Sequence, residues 1–164
     1  MKKIIASVLI LAFSGGAALA EMQIALGAPW DGKRVPKGQH CSLQGGKGAT
    51  PPMRITGLPA GTAMVVVEYN DKSYAPLSSK GGHGIIGFPV KGSSADLPSV
   101  PGMTDRFPGG IRLIAKARST GQYASDGYLP PCSGGRGNDY RADVKAIGSN
   151  GAVLEKTTVK LGRY

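Results

Sequence analysis

The sequence is poor in aromatics, histidine and cysteine. Aromatic residues make up 6% of 164 positions, with one Trp, and there are two His and two Cys. With the basic residues scattered and few aromatics between them, a base-stacking surface is excluded and no nucleic-acid partner is expected. A zinc site needs at least three well-spaced ligands, and His40, His83 and two cysteines that can bridge each other do not supply them, so no metal and no cofactor are expected. The longest apolar run, residues 4–13, is too short to span a bilayer, and no later stretch is longer. Residues 44–48 are glycine-rich but lack the GK[ST] ending and following helix of a phosphate loop. No window shows a helical period, and there is no internal repeat or domain linker. Helix bundles, solenoids and two-domain architectures are thereby excluded.

Turn residues and β-branched runs are abundant instead. Gly numbers 26 and Pro 12, the composition of short strands separated by many turns. Strands are predicted over 22–26, 53–58, 63–69, 84–90, 111–117, 140–147 and 152–161. Val65, Val66 and Val67 form a continuous β-branched run, as in a strand buried on both faces. In 140–147, Tyr140, Ala142, Val144 and Ala146 alternate with Arg141, Asp143 and Lys145, which reads as one buried face and one solvated face. In 111–117, Ile111, Leu113, Ala115 and Ala117 read as the inward set, with Arg112, Lys116 and Arg118 facing out. Residues 91–110 and 119–138 read as loops. The expectation is one all-β domain over residues 21–164, an antiparallel β-sandwich with long loops and little helix.

Residues 1–20 read as a secretory signal. Lys2 and Lys3 precede the apolar stretch, and Ala18-Leu19-Ala20 forms an A-x-A cleavage site. The expected location is periplasmic, alternatively secreted. An even pair of cysteines in an exported chain predicts a Cys41–Cys132 disulfide, with two buried free thiols as the other reading. Without Lys2 and Lys3, 18 basic residues face 10 acidic ones, a net charge of +8. Such a charge gives solubility, and it permits peripheral contact with phosphate-bearing membrane surfaces.

Chemistry-bearing residues concentrate in EYNDKSYAPLSSKGGHGIIGFP, residues 68–89, which holds Asp71 and His83. Asp71, His83 and Ser133 also stand in the chain order of one serine-protease class. However, Ser133 lies in CSGG, which has no nucleophile-elbow pattern.

Four pieces of the chain resemble the phosphatidylethanolamine-binding protein (PEBP) family in its bacterial exported branch, related to Raf kinase inhibitor protein. GGKGATPPMRITGLPAGT, residues 45–62, is similar to the family's early segment, with Pro51, Pro52, Pro59, Gly61 and Thr62 in place and the family's Trp absent. Asp71 falls on the first aspartate of D-P-D-A-P, followed here by KSYAP, so the second aspartate is missing. His83 has the spacing of the family's histidine, with Gly84 where Trp usually follows. YLPPCSGGRGNDY, residues 128–140, is similar to Y-x-G-P-C-P-P-x-G-x-H-R-Y, with Asn138 on the histidine and Asp139 on the arginine. The resemblance also places Cys41 and Cys132 where exported relatives carry a cysteine pair.

What the resemblance implies is a PEBP-like sandwich with a small pocket for phosphate-type or carboxylate anions, lined by Asp71, His83, Pro131, Asn138 and Tyr140. Beside Asp71, His83 is expected to favour its charged form. Imidazolium, tyrosine hydroxyl and loop N–H groups would then donate to the anion. The implied function is a non-enzymatic binding or inhibitory module. Its ligand would be a small anion or phospholipid head group, and an exported protein could be its partner. The alternative is a basic envelope-associated structural protein with a vestigial pocket.

Overall fold

The computed structural model describes residues 21–164, so the predicted signal segment lies outside the described residues. Among the described residues, eight strands form two antiparallel sheets. In chain order they are β1 Gln23–Leu26, β2 Met53–Thr56, β3 Thr62–Asp71, β4 Ile85–Pro89, β5 Ser94–Leu97, β6 Arg112–Ala115, β7 Asp139–Gly148 and β8 Val153–Arg163. One sheet has the order β1-β2-β5 and the other β6-β4-β3-β7-β8. The helical content among the described residues is three single 3₁₀ turns, Ser42–Gln44, Ala75–Leu77 and Gly121–Tyr123. The all-β sandwich read from the sequence is the fold observed.

β3 is the centre of the larger sheet, paired with β4 on one side and β7 on the other. Val65, Val67 and Tyr69 project into the core, as do Ala142, Val144 and Ala146 of β7 and Ile86 and Phe88 of β4. Met53 and Ile55 of β2 meet them from the smaller sheet. The alternation in β7 follows the two-residue pleat period, as predicted. The Val65–Val67 run is not buried on both faces, since Val66 is only half-buried. The outer face of β3 carries Glu68, which pairs with Lys145 of β7 instead of a further apolar layer.

Two further expectations are corrected. Within the 91–110 segment, Ser94–Leu97 is a strand, registered on β2 with Met53 opposite Leu97. Its sequence, SADL, has no strand signature of its own. The ladder, the buried Leu97 and the Arg54–Asp96 pair at 2.8 Å across the strands hold it. β6 is an edge strand, and the inward set read there is not one buried stripe. Ala115 is exposed, Leu113 half-buried and Ile114 51% exposed. Its pairing with β4 shifts register between Ile85 and Ile86, which breaks the strict alternation.

Cys41 and Cys132 are disulfide-bonded, with Cα atoms 5.2 Å apart across a sequence separation of 91. The bridge ties the loop before β2 to the loop before β7. The Cys41 N–H donates to the Pro131 carbonyl at 3.0 Å beside it. In the chain-entropy account, a loop of this length contributes roughly 3–5 kcal/mol through the unfolded state. The Cys41→Ser/Cys132→Ser double variant is therefore expected to lose about that much stability in urea unfolding. A loss below about 1 kcal/mol would show that the unfolded chain is already constrained there.

Candidate functional site

The site lies where the core-facing stripes of β3 and β7 run out. Asp71 closes the series Val65, Val67, Tyr69, and Tyr140 opens the series continued by Ala142 and Val144. The register sets Asp71 directly opposite Tyr140. Residues opposite one another in an antiparallel pair project from the same face, so carboxylate and phenol meet at the edge of the core.

His83 comes from the turn between β3 and β4 and is 3% exposed. Three backbone bonds fix it. Its N–H donates to the Tyr69 carbonyl at 2.9 Å, its carbonyl accepts from Leu129 at 2.8 Å, and the Tyr69 N–H donates to Gly84 at 3.0 Å. Gly84 has φ +114°, and a Cβ there would sit 3.1 Å from the Cα of Tyr128. A side chain at 84 would be strained by the positive φ and would require the Tyr128 backbone to give by a few tenths of an ångström. The imidazole Nδ1 donates to the Leu129 carbonyl at 2.7 Å, and the ring stands edge-on to Tyr140 with centroids 5.3 Å apart. A carbonyl oxygen can only accept, so Nδ1 carries the proton. In the neutral ring Nε2 is then a bare acceptor. Nε2 is buried and has no hydrogen-bond partner.

Asp71 is buried and accepts at both oxygens. Its Oδ1 takes the Ser73 N–H at 2.9 Å and its Oδ2 takes Asn138 Nδ2 at 2.7 Å. Asn138 rides on the loop before β7. That loop is clamped by Tyr164, whose main-chain oxygen accepts from Gly137 N at 2.7 Å, Asn138 N at 2.8 Å and Ser133 Oγ at 2.6 Å. The Tyr164 ring stacks on His40, 4.9 Å between centroids, so His40 braces the loop from outside the site. The Tyr140 hydroxyl accepts the Cys132 N–H at 3.2 Å and keeps its own proton to donate, with the Asp71 carboxylate a neighbouring acceptor. Burial pushes the Tyr140 phenol well above its ordinary range, with the Asp71 charge adding to the shift, so it remains a proton donor.

These side chains line a cavity of about 370 Å³. Asp71, His83, Asn138 and Tyr140 are brought together as the resemblance implied. Pro131 is not among the lining residues. It is buried, with its carbonyl turned to Cys41, and Cys132 and Leu129 supply that wall instead. Ser133 also lines the cavity, but its hydroxyl donates to Tyr164, and His83 Nδ1 faces Leu129 rather than a carboxylate. The hydrogen bonds that join a serine–histidine–aspartate triad are thus not made.

The expected imidazolium is corrected. Burial lowers the His83 pKa and outweighs two opposing influences, the Leu129 hydrogen bond and the Asp71 charge. Desolvation disfavours the charged ring more than the nearby carboxylate favours it.

Sequence reasoning missed the mouth of the cavity. Tyr74 and Tyr123, 53% and 39% exposed, flank it together with Arg118 and Arg136. The Arg118 guanidinium is engaged, donating to the carbonyls of Lys80, Pro76 and Ser79 at 2.8–3.0 Å, and so braces the wall. Exposed Arg136 is the rim cation without such ties. Arg118 belongs to the outward basic set read beside 111–117, whereas the sequence signal for Tyr74, Tyr123 and Arg136 was only their place in the loops that carry His83 and Asn138.

The His83 environment sets a pH response. The unfolded ring titrates near 6.5 and the buried ring below it. As pH falls below about 6.5, the unfolded chain binds a proton that the native ring refuses. The stability present above that value is therefore lost toward the folded pKa. Urea unfolding at about pH 7.5 and pH 5 should show a loss of stability that is smaller in His83→Gln. An identical loss in the variant would mean that the native ring is charged.

No protein-family model matches the chain, and no curated protein matches its sequence. Solved structures do resemble it. E. coli YbcL, described as a new member of the mammalian PEBP family, is 19% identical with a TM-score of 0.56, covering 88% of this chain and 98% of that one. CT736 of Chlamydia trachomatis, described as a putative phosphatidylethanolamine-binding protein homolog, is 20% identical with a TM-score of 0.53, covering 88% and 97%. With its two antiparallel sheets, this chain therefore has a PEBP-like fold, carried by a divergent sequence.

Proposed function

We propose that the chain is an exported, non-enzymatic binding module that takes a small phosphate-type anion in the cavity between Asp71, His83, Asn138 and Tyr140. One observation carries the reading: donors converge on a single partly enclosed space. The Tyr140 hydroxyl and the Asn138 amide belong to residues of its lining, which also includes exposed Arg136. Charge-assisted hydrogen bonds to such donors are the usual means of holding phosphate. A volume of about 370 Å³ exceeds a bare phosphate and leaves room for an organic group against Tyr74 or Tyr123. The neighbouring folds named for phosphatidylethanolamine binding support a head-group-like ligand class. The disulfide supports export to an oxidising compartment, in line with the signal-like residues 1–20. The separate engagements of Ser133 and His83 favour binding over hydrolysis.

Calorimetry with inorganic phosphate tests the site. His83→Ala should abolish binding. Tyr140→Phe, which keeps the ring and removes one donor, should weaken it about tenfold, roughly 1.4 kcal/mol. Unchanged affinity in both variants would remove the pocket from the function. The second reading, a basic envelope-associated protein, draws on the net charge of +8 without Lys2 and Lys3. It predicts salt-sensitive binding to anionic vesicles that survives both substitutions.

A further inference from the structure

The lining of this pocket includes an imidazole with a buried, unpartnered nitrogen. Three buried side-chain atoms among the described residues have no hydrogen-bond partner: Gln44 Oε1, Asp139 Oδ1 and His83 Nε2. Only His83 lines the cavity. The Leu129 carbonyl holds the proton on Nδ1, which leaves a lone pair on Nε2. Neighbouring polar groups are already committed. Asp71 accepts at both oxygens, from Ser73 and from Asn138. The Tyr140 oxygen accepts from Cys132. A fully deprotonated anion entering here would set its own lone pairs against that of Nε2. An anion that carries a hydroxyl proton would donate it to Nε2 and accept from Tyr140 and Asn138 with its other oxygens.

We propose that the pocket selects anions that bring their own acidic proton, namely hydrogen phosphate or a singly protonated phosphomonoester, over proton-free anions such as sulfate and phosphodiesters. The proposal rests on the pocket reading above and narrows it. The phosphodiester of an intact phospholipid has no P–OH to give, whereas a phosphomonoester does. Burial of the ring supports the same choice, because supplying the missing proton from solvent would mean charging a buried imidazole. Net charge alone ranks the probes differently. Sulfate is at least as negative as hydrogen phosphate near neutral pH, so simple attraction to Arg136 would favour it at least equally.

Calorimetry on the full chain at about pH 7, with inorganic phosphate, inorganic sulfate and dimethyl phosphate as probes, decides the matter. Phosphate is expected to bind at least tenfold more tightly than either of the others. In His83→Gln, whose amide can offer a proton to the ligand, that preference should shrink or reverse. Sulfate or dimethyl phosphate binding the native chain as tightly as phosphate, with both lost in His83→Ala, would overturn the proposal and leave the pocket reading standing. Binding of none of the three would remove both. Vesicles carrying phosphatidate, a lipid monoester, or phosphatidylglycerol, a lipid diester, separate lipid-borne from free ligand. Pocket-dependent binding to the diester vesicles alone would also overturn the proposal.

Discussion

The register between β3 and β7 is the constraint on which both core and site depend. Side chains alternate faces with a period of two, so a slip of one residue would move Val65, Val67 and Tyr69 out of the core. The same slip would turn Asp71 away from Tyr140. Burial of the valine stripe thus selects the register, and the register delivers the carboxylate opposite the phenol. β4, on the other side of β3, extends the dependence. The backbone bonds of Tyr69 with His83 and Gly84 continue the β3–β4 pairing into the turn and seat the imidazole beside that pair. The polar site is the end of a hydrophobic ladder, and its geometry follows from apolar packing several residues away.

Within the site, burial and charge act on His83 in opposite directions, and burial prevails. The Asp71 carboxylate is held by two donors, Ser73 and Asn138, and its charge raises the His83 pKa less than burial lowers it. The Leu129 carbonyl meanwhile fixes the neutral tautomer. The result is a pocket whose lining residues carry donors on Tyr140 and Asn138 and an unpartnered acceptor on His83. If the pocket binds as proposed, that polarity would discriminate by hydrogen-bond pattern, which depends on which protons a ligand carries, rather than by attraction to negative charge alone.

Much of the scaffold was legible because strand periodicity is a local property. β7 showed its inward set residue by residue, and the Val65–Val67 run located the central strand. β5 was illegible because SADL pairs through neighbours distant in sequence. The inward face of β6 was misread because a register shift at an edge breaks the alternation that reading requires. Spacing and resemblance point to Asp71, His83, Asn138 and Tyr140, which line one cavity, because both report position. The charge state of His83 was read wrongly, since desolvation is set by the whole fold and an Asp–His proximity says nothing of it. Pro131 was assigned to the lining because its motif supplies a wall. The disulfide and the Cys41–Pro131 hydrogen bond turn that residue into the support behind the wall.

The departures from the family's pattern fit together when taken as a set. Gly84, in a left-handed conformation, lies close against Gly127 and Tyr128, next to the Leu129 carbonyl that partners Nδ1. Asn138 replaces a titratable ring with an amide that donates to Asp71 at a fixed 2.7 Å. A histidine there would have brought a second proton whose presence varied near neutral pH. With an amide beside the carboxylate, a phenol held far above neutrality and an imidazole held below its ordinary value, the hydrogen-bonding character of the pocket changes little around pH 7. Each change would weaken a pocket that works by imidazolium charge. In a pocket that works by hydrogen-bond pattern the same changes support one another, so the altered motif is consistent with a retuned site as well as with a worn one.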